Sequence, residues 1–197
     1  MFATVLARGR TPPAPHLRLA LWCSLLIMAD VLNLAVMVLH GNNLWTSYFT
    51  LPLEVGMSLW ILSSWPIPPR VRRAYGWIIV AMVLGGGAAL AVTDPGITFE
   101  VWISPMLALL ALAASIHTLV HNSLTSHLPL TRQDWFGISL GLSLFWVLSV
   151  PMPPFATAAM SRNIDWVVMV YTARAWVMIL SFVLMSWGVL CSRRQTA

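Results

Sequence analysis

Long apolar runs separated by short polar segments dominate the chain. Each run approaches the length of about 20 residues that an α-helix needs to cross a bilayer. The runs, and therefore the predicted spans, are residues 19–39, 44–65, 75–93, 99–120, 135–150 and 164–190. The fifth run is short, and we expect its helix to be tilted or extended by its neighbours. The pattern predicts an all-α fold, a polytopic membrane bundle of six transmembrane helices.

The polar ends of the chain define the predicted domain organisation. Residues 1–18 contain three prolines close together and are expected to form an extended N-terminal arm. The transmembrane domain is predicted over 19–191, and a short tail over 192–197. The first apolar run covers about 21 residues, longer than the 7–15 of a signal peptide, so we expect it to be retained as the first span.

Composition and charge agree with this class of protein. The 197 residues are 59% hydrophobic and only 9% charged, whereas soluble domains carry about 25% charged residues. No contiguous basic stripe is present, which argues against nucleic acid as a partner. Membrane lipids are the expected partners, together with a homo-oligomer or a larger membrane complex.

The arginines predict the orientation of the bundle. Six spans place both termini on one side of the membrane, and by the positive-inside rule that side is cytoplasmic. We therefore expect a multi-pass membrane protein with both termini in the cytoplasm. The residues that fall on the shared side are Arg8, Arg10, Arg18, Arg70, Arg72, Arg73, Arg132, Arg193 and Arg194.

Three ionisable residues lie inside the predicted spans. Counting from the span ends at 1.5 Å per residue puts Asp30, Glu54 and Arg174 at about 15–16 Å, near the midplane of a core about 30 Å thick. Charged groups at that depth are costly and often functional. The predicted ligand-binding residues are these three and their polar neighbours: Asp30, Asn33, Tyr48, Glu54, Tyr171 and Arg174.

A purely structural role for the same residues stays open. One carboxylate could pair with Arg174 and clamp two helices together while the other acid stays protonated. The sequence does not decide whether the partner of Arg174 is Asp30 or Glu54. With two acids and one base, one carboxyl group lacks a matching cation, which favours a binding site for a ligand or a proton.

Metal and catalytic chemistry find little support in the sequence. His117 and His121 are four residues apart, a spacing that can hold a metal, but no carboxylate or cysteine accompanies them. We therefore predict no metal and no cofactor, with these histidines as weak metal candidates. No hydrolytic or redox motif is present, and we predict that the chain is not an enzyme.

Glycines predict where helices approach closely. Gly137 and Gly141 form a GxxxG pattern, which predicts a helix–helix seam within the chain or between protomers. A run of three glycines at 85–87 is expected to allow close packing of another helix. Pro105 is expected to kink the fourth span.

An internal repeat is a further prediction. Residues 58–69 resemble residues 143–154, because both are apolar runs that end in a Pro-x-Pro-Pro segment. Spans 1–3 and 4–6 would then form a 3+3 inverted repeat, an arrangement found in transporters. Chance similarity between apolar runs is the competing explanation.

An aromatic-rich turn leads into a helix with a glutamate in one stretch of the chain: Asn42, Asn43, Leu44, Trp45, Tyr48, Pro52, Leu53 and Glu54. This stretch resembles a group of small six-helix bacterial inner-membrane proteins, some of which are membrane modules of sensors. The similarity extends weakly through 99–101, 134–136 and 166–171. The resemblance implies six spans in a bacterial inner membrane and no particular activity. The chain departs from the group at Arg174, where a neutral polar residue is expected.

Three functions remain in view. The leading hypothesis is a non-enzymatic membrane protein that binds a small or lipid-like ligand or a proton at the mid-membrane polar cluster, for transport or sensing. The alternative is an accessory or structural subunit of a larger membrane complex. A third and weaker hypothesis is an intramembrane enzyme that acts on lipid through His117 and His121.

Overall fold

The computed structural model describes residues 14–40, 46–92, 103–152 and 164–193. Within these ranges the chain is all-helical, with six α-helices and one 3₁₀ turn at Leu130–Arg132. The α-helices are α1 (Ala14–His40), α2 (Ser47–Leu62), α3 (Pro69–Val92), α4 (Ser104–Thr125), α5 (Asp134–Ser149) and α6 (Ile164–Arg193).

Three of these helices contain segments long and apolar enough to cross a membrane. The segments are Ala14–Leu39, Ser104–Thr125 and Val168–Cys191, and two shorter apolar helices are Tyr48–Leu62 and Asp134–Ser149. Apolar side chains cover much of the exposed surface of α1 and α6. An exposed apolar helix surface is stable in lipid and unfavourable in water. The fold therefore indicates a membrane-associated protein.

Prolines begin two helices, one in a segment between predicted spans and one where a kink was predicted. Pro69 is the first residue of α3, which therefore includes the arginines between the second and third predicted spans, and Pro105 lies in the first turn of α4. A proline fits the start of a helix because its fixed φ is already helical and its missing N–H has no partner there. The helix α1 also begins at Ala14, five residues before the predicted span.

The chain divides into two compact units, an N-terminal unit (Met1–Thr98) and a C-terminal unit (Phe99–Ala197). In the N-terminal unit α2 packs against both α1 and α3, and in the C-terminal unit α5 packs against both α4 and α6. Each unit thus contains three described α-helices with the middle one in the centre.

The core of the N-terminal unit is formed by large apolar side chains of α1 and α2. Trp22 is completely buried, and Val55 and Leu59 are buried on the opposing helix. On α3, the side chain of Ile79 lies 3.6 Å from the position that a Cβ on Gly56 would take, which is an ordinary van der Waals distance. This places α2 between its two neighbours with side-chain packing on both sides.

Backbone approach between α5 and α6 dominates the C-terminal unit. A Cβ on Gly137 would lie 2.7 Å from the Cα of Gly188, and one on Gly141 would lie 2.7 Å from the carbonyl oxygen of Ser181. The predicted GxxxG seam is therefore confirmed, and it joins two helices of one chain. Close packing at the other glycine run is not observed at Gly85, where no described atom lies within 4 Å of a Cβ position.

Candidate functional site

Polar contacts connect α1 and α2 along their length. Near the beginning of α2 the hydroxyl of Thr46 donates a hydrogen bond to the side-chain oxygen of Asn33. Further along, the indole Nε1 of Trp22 donates to the backbone carbonyl of Glu54, with an N–O distance of 3.1 Å. These contacts fix the antiparallel register of the two helices.

The register separates the two acids of the N-terminal unit. The first contact sets Asn33 level with Thr46. Because the helices are antiparallel, Asp30, three residues before Asn33, is level with position 49 of α2. Glu54 lies five residues further along α2. The second contact sets Trp22 level with Glu54. Asp30 lies eight residues beyond Trp22 on α1, and is therefore eight residues from the level of Glu54. At 1.5 Å per residue the two carboxylates are offset by about 8–12 Å along the helix axes. This offset differs from the equal depth expected from the sequence, and the depth of either residue in a membrane stays a prediction.

The cause of this difference is the position of the helix ends. The depth prediction counted inward from assumed span ends at residues 19 and 44, whereas α1 begins at Ala14 and α2 at Ser47. The helix starts therefore differ from the assumed span ends by five residues for α1 and by three residues for α2. Because axial position accumulates with every residue, small errors at two ends combine into a displacement of a helical turn or more.

Asp30 lies on the exposed side of α1. Its exposed neighbours on the helix include Ile27, Val31 and Leu34, all apolar. No hydrogen bond or ion pair joins its carboxylate to a residue among those described. Asp30 is thus a single carboxylate on an otherwise apolar helix surface.

Glu54 and Tyr48 occupy a different environment on α2. Tyr48 is buried and Glu54 is half-buried, and both residues take part in further interactions within the protein. Pro52 lies between them inside the helix. A proline removes the backbone hydrogen bond to the carbonyl four residues earlier, here that of Tyr48. This segment combines a proline inside the helix with two polar side chains.

Arg174 and Tyr171 belong to the C-terminal unit. Arg174 is half-buried and Tyr171 is exposed on α6. Tyr171 helps to line an open, mostly apolar groove of about 600 Å³ on this helix. The residues that line the groove are Val168, Tyr171, Thr172, Ala175, Trp176 and Ile179. The joint cluster of Asp30, Glu54 and Arg174 stays a prediction, because its members are divided between the two units.

The two histidines of α4 lie one turn apart with nearly parallel rings. The ring centroids of His117 and His121 are 5.9 Å apart and the ring planes differ by 4°. Among the described residues no group of three or more His, Cys, Asp or Glu side chains is arranged to hold a metal. The pair therefore supplies two nitrogen ligands at most.

Sequence reasoning missed the role of Arg18. Its guanidinium Nη1 donates to the carbonyl oxygen of Trp60 at 2.8 Å and to the hydroxyl of Ser64 at 2.7 Å. The guanidinium carbon also lies 4.5 Å from the centroid of the Trp60 ring. Arg18 thereby donates to one backbone carbonyl and to a serine hydroxyl at the end of α2. Two adjacent serines, Ser63 and Ser64, just after an apolar run were the available signal.

No protein-family model, no curated protein and no solved structure matches this chain. The resemblance to the small six-helix bacterial membrane proteins therefore stays a prediction. The functional argument below rests on the residues of the chain itself.

Proposed function

We propose that the chain is a non-enzymatic protein of the bacterial inner membrane that crosses the bilayer six times with both termini in the cytoplasm. Three long apolar helices and two shorter ones support the spans. Nine of the eleven arginines fall on the side that this topology assigns to the cytoplasm. The two three-helix units support a 3+3 inverted repeat.

Its proposed activity is the binding of a small or lipid-like ligand, or of a proton, through the ionisable groups of its apolar helices, Asp30, Glu54 and Arg174. The purpose would be transport or sensing. The observation that carries the proposal is the exposed position of Asp30 on α1, surrounded by apolar side chains.

The energetic argument follows from the surroundings of Asp30. An ionised aspartate near the centre of a membrane helix costs about 2.5–3.5 kcal/mol. The cost falls when the carboxyl group takes up a proton or meets a polar partner. The described residues of the N-terminal unit include no such partner, which supports a proton or a bound ligand as the compensating group.

Arg174 occupies a comparable position along its own helix. Asp30 lies ten residues before the end of α1 at His40, and Arg174 lies ten residues after the start of α6 at Ile164. Both are therefore about 15 Å from those helix ends. In the proposed topology both of those ends face the outer side of the membrane.

The test measures which molecules the full chain retains in nanodiscs prepared with native lipids. We expect mass spectrometry to detect a species that co-purifies with the wild type and is lost from Asp30→Asn and from Arg174→Gln. Asp165→Asn is the matched control, because Asp165 is an exposed acid in the first turn of α6. If folded Asp30→Asn and Arg174→Gln retain the same molecules and the same proton uptake as the wild type, the proposal fails.

A second candidate is an accessory subunit of a larger membrane complex. The observation that favours it is the open groove on α6, which is lined by Trp176 and other exposed apolar side chains. A helix of a partner protein could fill such a groove. Co-purification of a defined partner that is lost in Trp176→Ala would support this function, and a stable lone oligomer in mild detergent would contradict it.

A further inference from the structure

Four arginines collect at one end of the N-terminal unit. Arg18 joins the beginning of α1 to the end of α2 through its hydrogen bond to the Trp60 carbonyl. The helix α3 begins only seven residues after α2 ends, and Arg70, Arg72 and Arg73 are exposed in its first turns. Arg72 is close enough to Arg18 for their charges to repel.

Carboxylates that could balance these charges are distant among the described residues of the unit. Asp30 lies twelve residues beyond Arg18 on α1, about 18 Å along the axis, and Glu54 lies six residues before Trp60, about 9 Å away. The first turns of α1 and α3 contain no acidic residue. The charge at this end is therefore strongly positive and locally uncompensated.

The helix geometry explains Arg18 but not the arginines of α3. A cation at the C-terminal end of a helix is favourable, and Arg18 occupies that position on α2. Arg70, Arg72 and Arg73 lie instead at the N-terminal end of α3, where the helix dipole disfavours positive charge. An anion bound among them would offset both the dipole and their mutual repulsion.

The exposed face of α3 distinguishes a lipid from a soluble anion. Trp77, Val80 and Leu84 follow Arg73 at intervals of four, three and four residues, which places them on one face of α3. All three are exposed and apolar. One face of the helix thus presents a cation, then a tryptophan, then aliphatic side chains. A phospholipid has the same order of chemistry, from charged headgroup to acyl chain.

We propose that Arg70, Arg72 and Arg73 at the start of α3 form a binding surface for the headgroup phosphate of an anionic phospholipid. The acyl chains of that lipid lie along Trp77, Val80 and Leu84. This surface is distinct from the ionisable residues Asp30, Glu54 and Arg174, so it can exist whether or not those residues bind a ligand.

The experiment compares lipid retention by the full chain with native mass spectrometry, using phosphatidylglycerol and phosphatidylcholine as probes. We expect the wild type to prefer phosphatidylglycerol. Each of the single substitutions Arg70→Gln, Arg72→Gln and Arg73→Gln should weaken that preference by about fivefold. The triple lysine variant keeps the charges and should keep most of the preference. Arg132→Gln is the matched control, because Arg132 is exposed and lies in the other unit.

Several results would overturn the proposal. One is a wild type without any preference for phosphatidylglycerol, and another is an unchanged preference in the triple glutamine variant. Equal, arginine-dependent binding of glycerol 3-phosphate in lipid-free detergent would reject the lipid assignment in favour of a soluble phosphate. If the triple glutamine variant does not fold, the salt dependence of the wild type decides. A preference that weakens with added salt supports the surface, and one that does not change contradicts it.

Discussion

The two units of this chain hold their helices together by different chemistry. In the N-terminal unit, side chains of α1 reach across to α2, and Arg18 and Trp22 donate to its backbone carbonyls. In the C-terminal unit, α5 and α6 approach so closely at Gly137 and Gly141 that backbone meets backbone. Both solutions suit a membrane, where burial of apolar surface gives little drive for helices to associate.

The comparison shows what each kind of seam tolerates. A seam of side-chain hydrogen bonds can lose one contact and keep the others. A glycine seam has no space for any added atom, so a single methyl group must push the helices apart. We therefore expect steep losses from glycine substitutions in the C-terminal unit and graded losses from polar substitutions in the N-terminal unit.

The largest effect is expected for Gly141→Ala. The new methyl group would lie 2.7 Å from the Ser181 carbonyl oxygen and 2.5 Å from the Cγ of Met185. Overpacking of this kind costs about 1–3 kcal/mol, and the rigid backbone partner places this site near the upper value. Unfolding of the full chain in mixed micelles, followed by circular dichroism, measures the loss.

Gly85→Ala is the matched control for that substitution. No described atom lies within 4 Å of its Cβ position, and alanine has the higher helix propensity, so we expect a change within about 1 kcal/mol of the wild type in the stabilising direction. An equal loss of stability at both glycines would contradict the special role of the α5–α6 seam.

The next effect is expected for Arg18→Gln. The substitution removes a charged donor from the Trp60 carbonyl and the Ser64 hydroxyl, and it also removes the cation above the Trp60 ring. Because the contact is partly exposed, we expect a loss of about 1–2 kcal/mol in the free energy of unfolding. Arg18→Lys should recover part of it, and Arg70→Gln, which removes an exposed arginine of the same unit, should change stability much less. A loss of the same size in Arg70→Gln would point to net charge instead.

A smaller effect is expected for Trp22→Phe. The ring remains in the core while the Nε1 donor to the Glu54 carbonyl is lost, so the cost should be about 0.5–1.5 kcal/mol. Trp166→Phe, on an exposed side chain of α6, is the control. Equal unfolding midpoints for Trp22→Phe and the wild type would show that this hydrogen bond contributes nothing to the seam.

The smallest effect is the coupling between Asn33 and Thr46. A double-mutant cycle with Asn33→Ala and Thr46→Val should give an interaction energy of about 0.6 kcal/mol, typical of hydrogen bonds between membrane helices. The measurement is again the free energy of unfolding of the full chain. If the losses of unfolding free energy from the two substitutions are strictly additive, this hydrogen bond does not help to fix the α1–α2 register.

The sequence predicted those features that depend on local patterns. Apolar run length predicted the helices, and the spacing of Gly137 and Gly141 predicted a seam. It did not predict the partner of that seam, because Gly188 stands alone in α6 and carries no spacing signal. The use of Arg18 was also missed, because its acceptor at Trp60 is distant in sequence.

The candidate site depended on quantities that local patterns determine poorly. The prediction placed Asp30 and Glu54 at one depth, but depth is a count from helix ends, and the ends are the least certain part of a sequence-based assignment. Pro69 illustrates the problem, since proline both follows and begins helices. The identity of the ionisable residues could be predicted, whereas their levels required the contacts between α1 and α2.

The most direct test of the central claim is a density map of the full chain in nanodiscs with native lipids. The account predicts a bound molecule with a polar atom within hydrogen-bonding distance of the Asp30 carboxyl group. A carboxyl group without a polar partner would agree only if infrared spectroscopy, with Asp30→Asn as reference, shows it to be protonated. An ionised Asp30 that contacts bulk water and is indifferent to ligand would contradict the account.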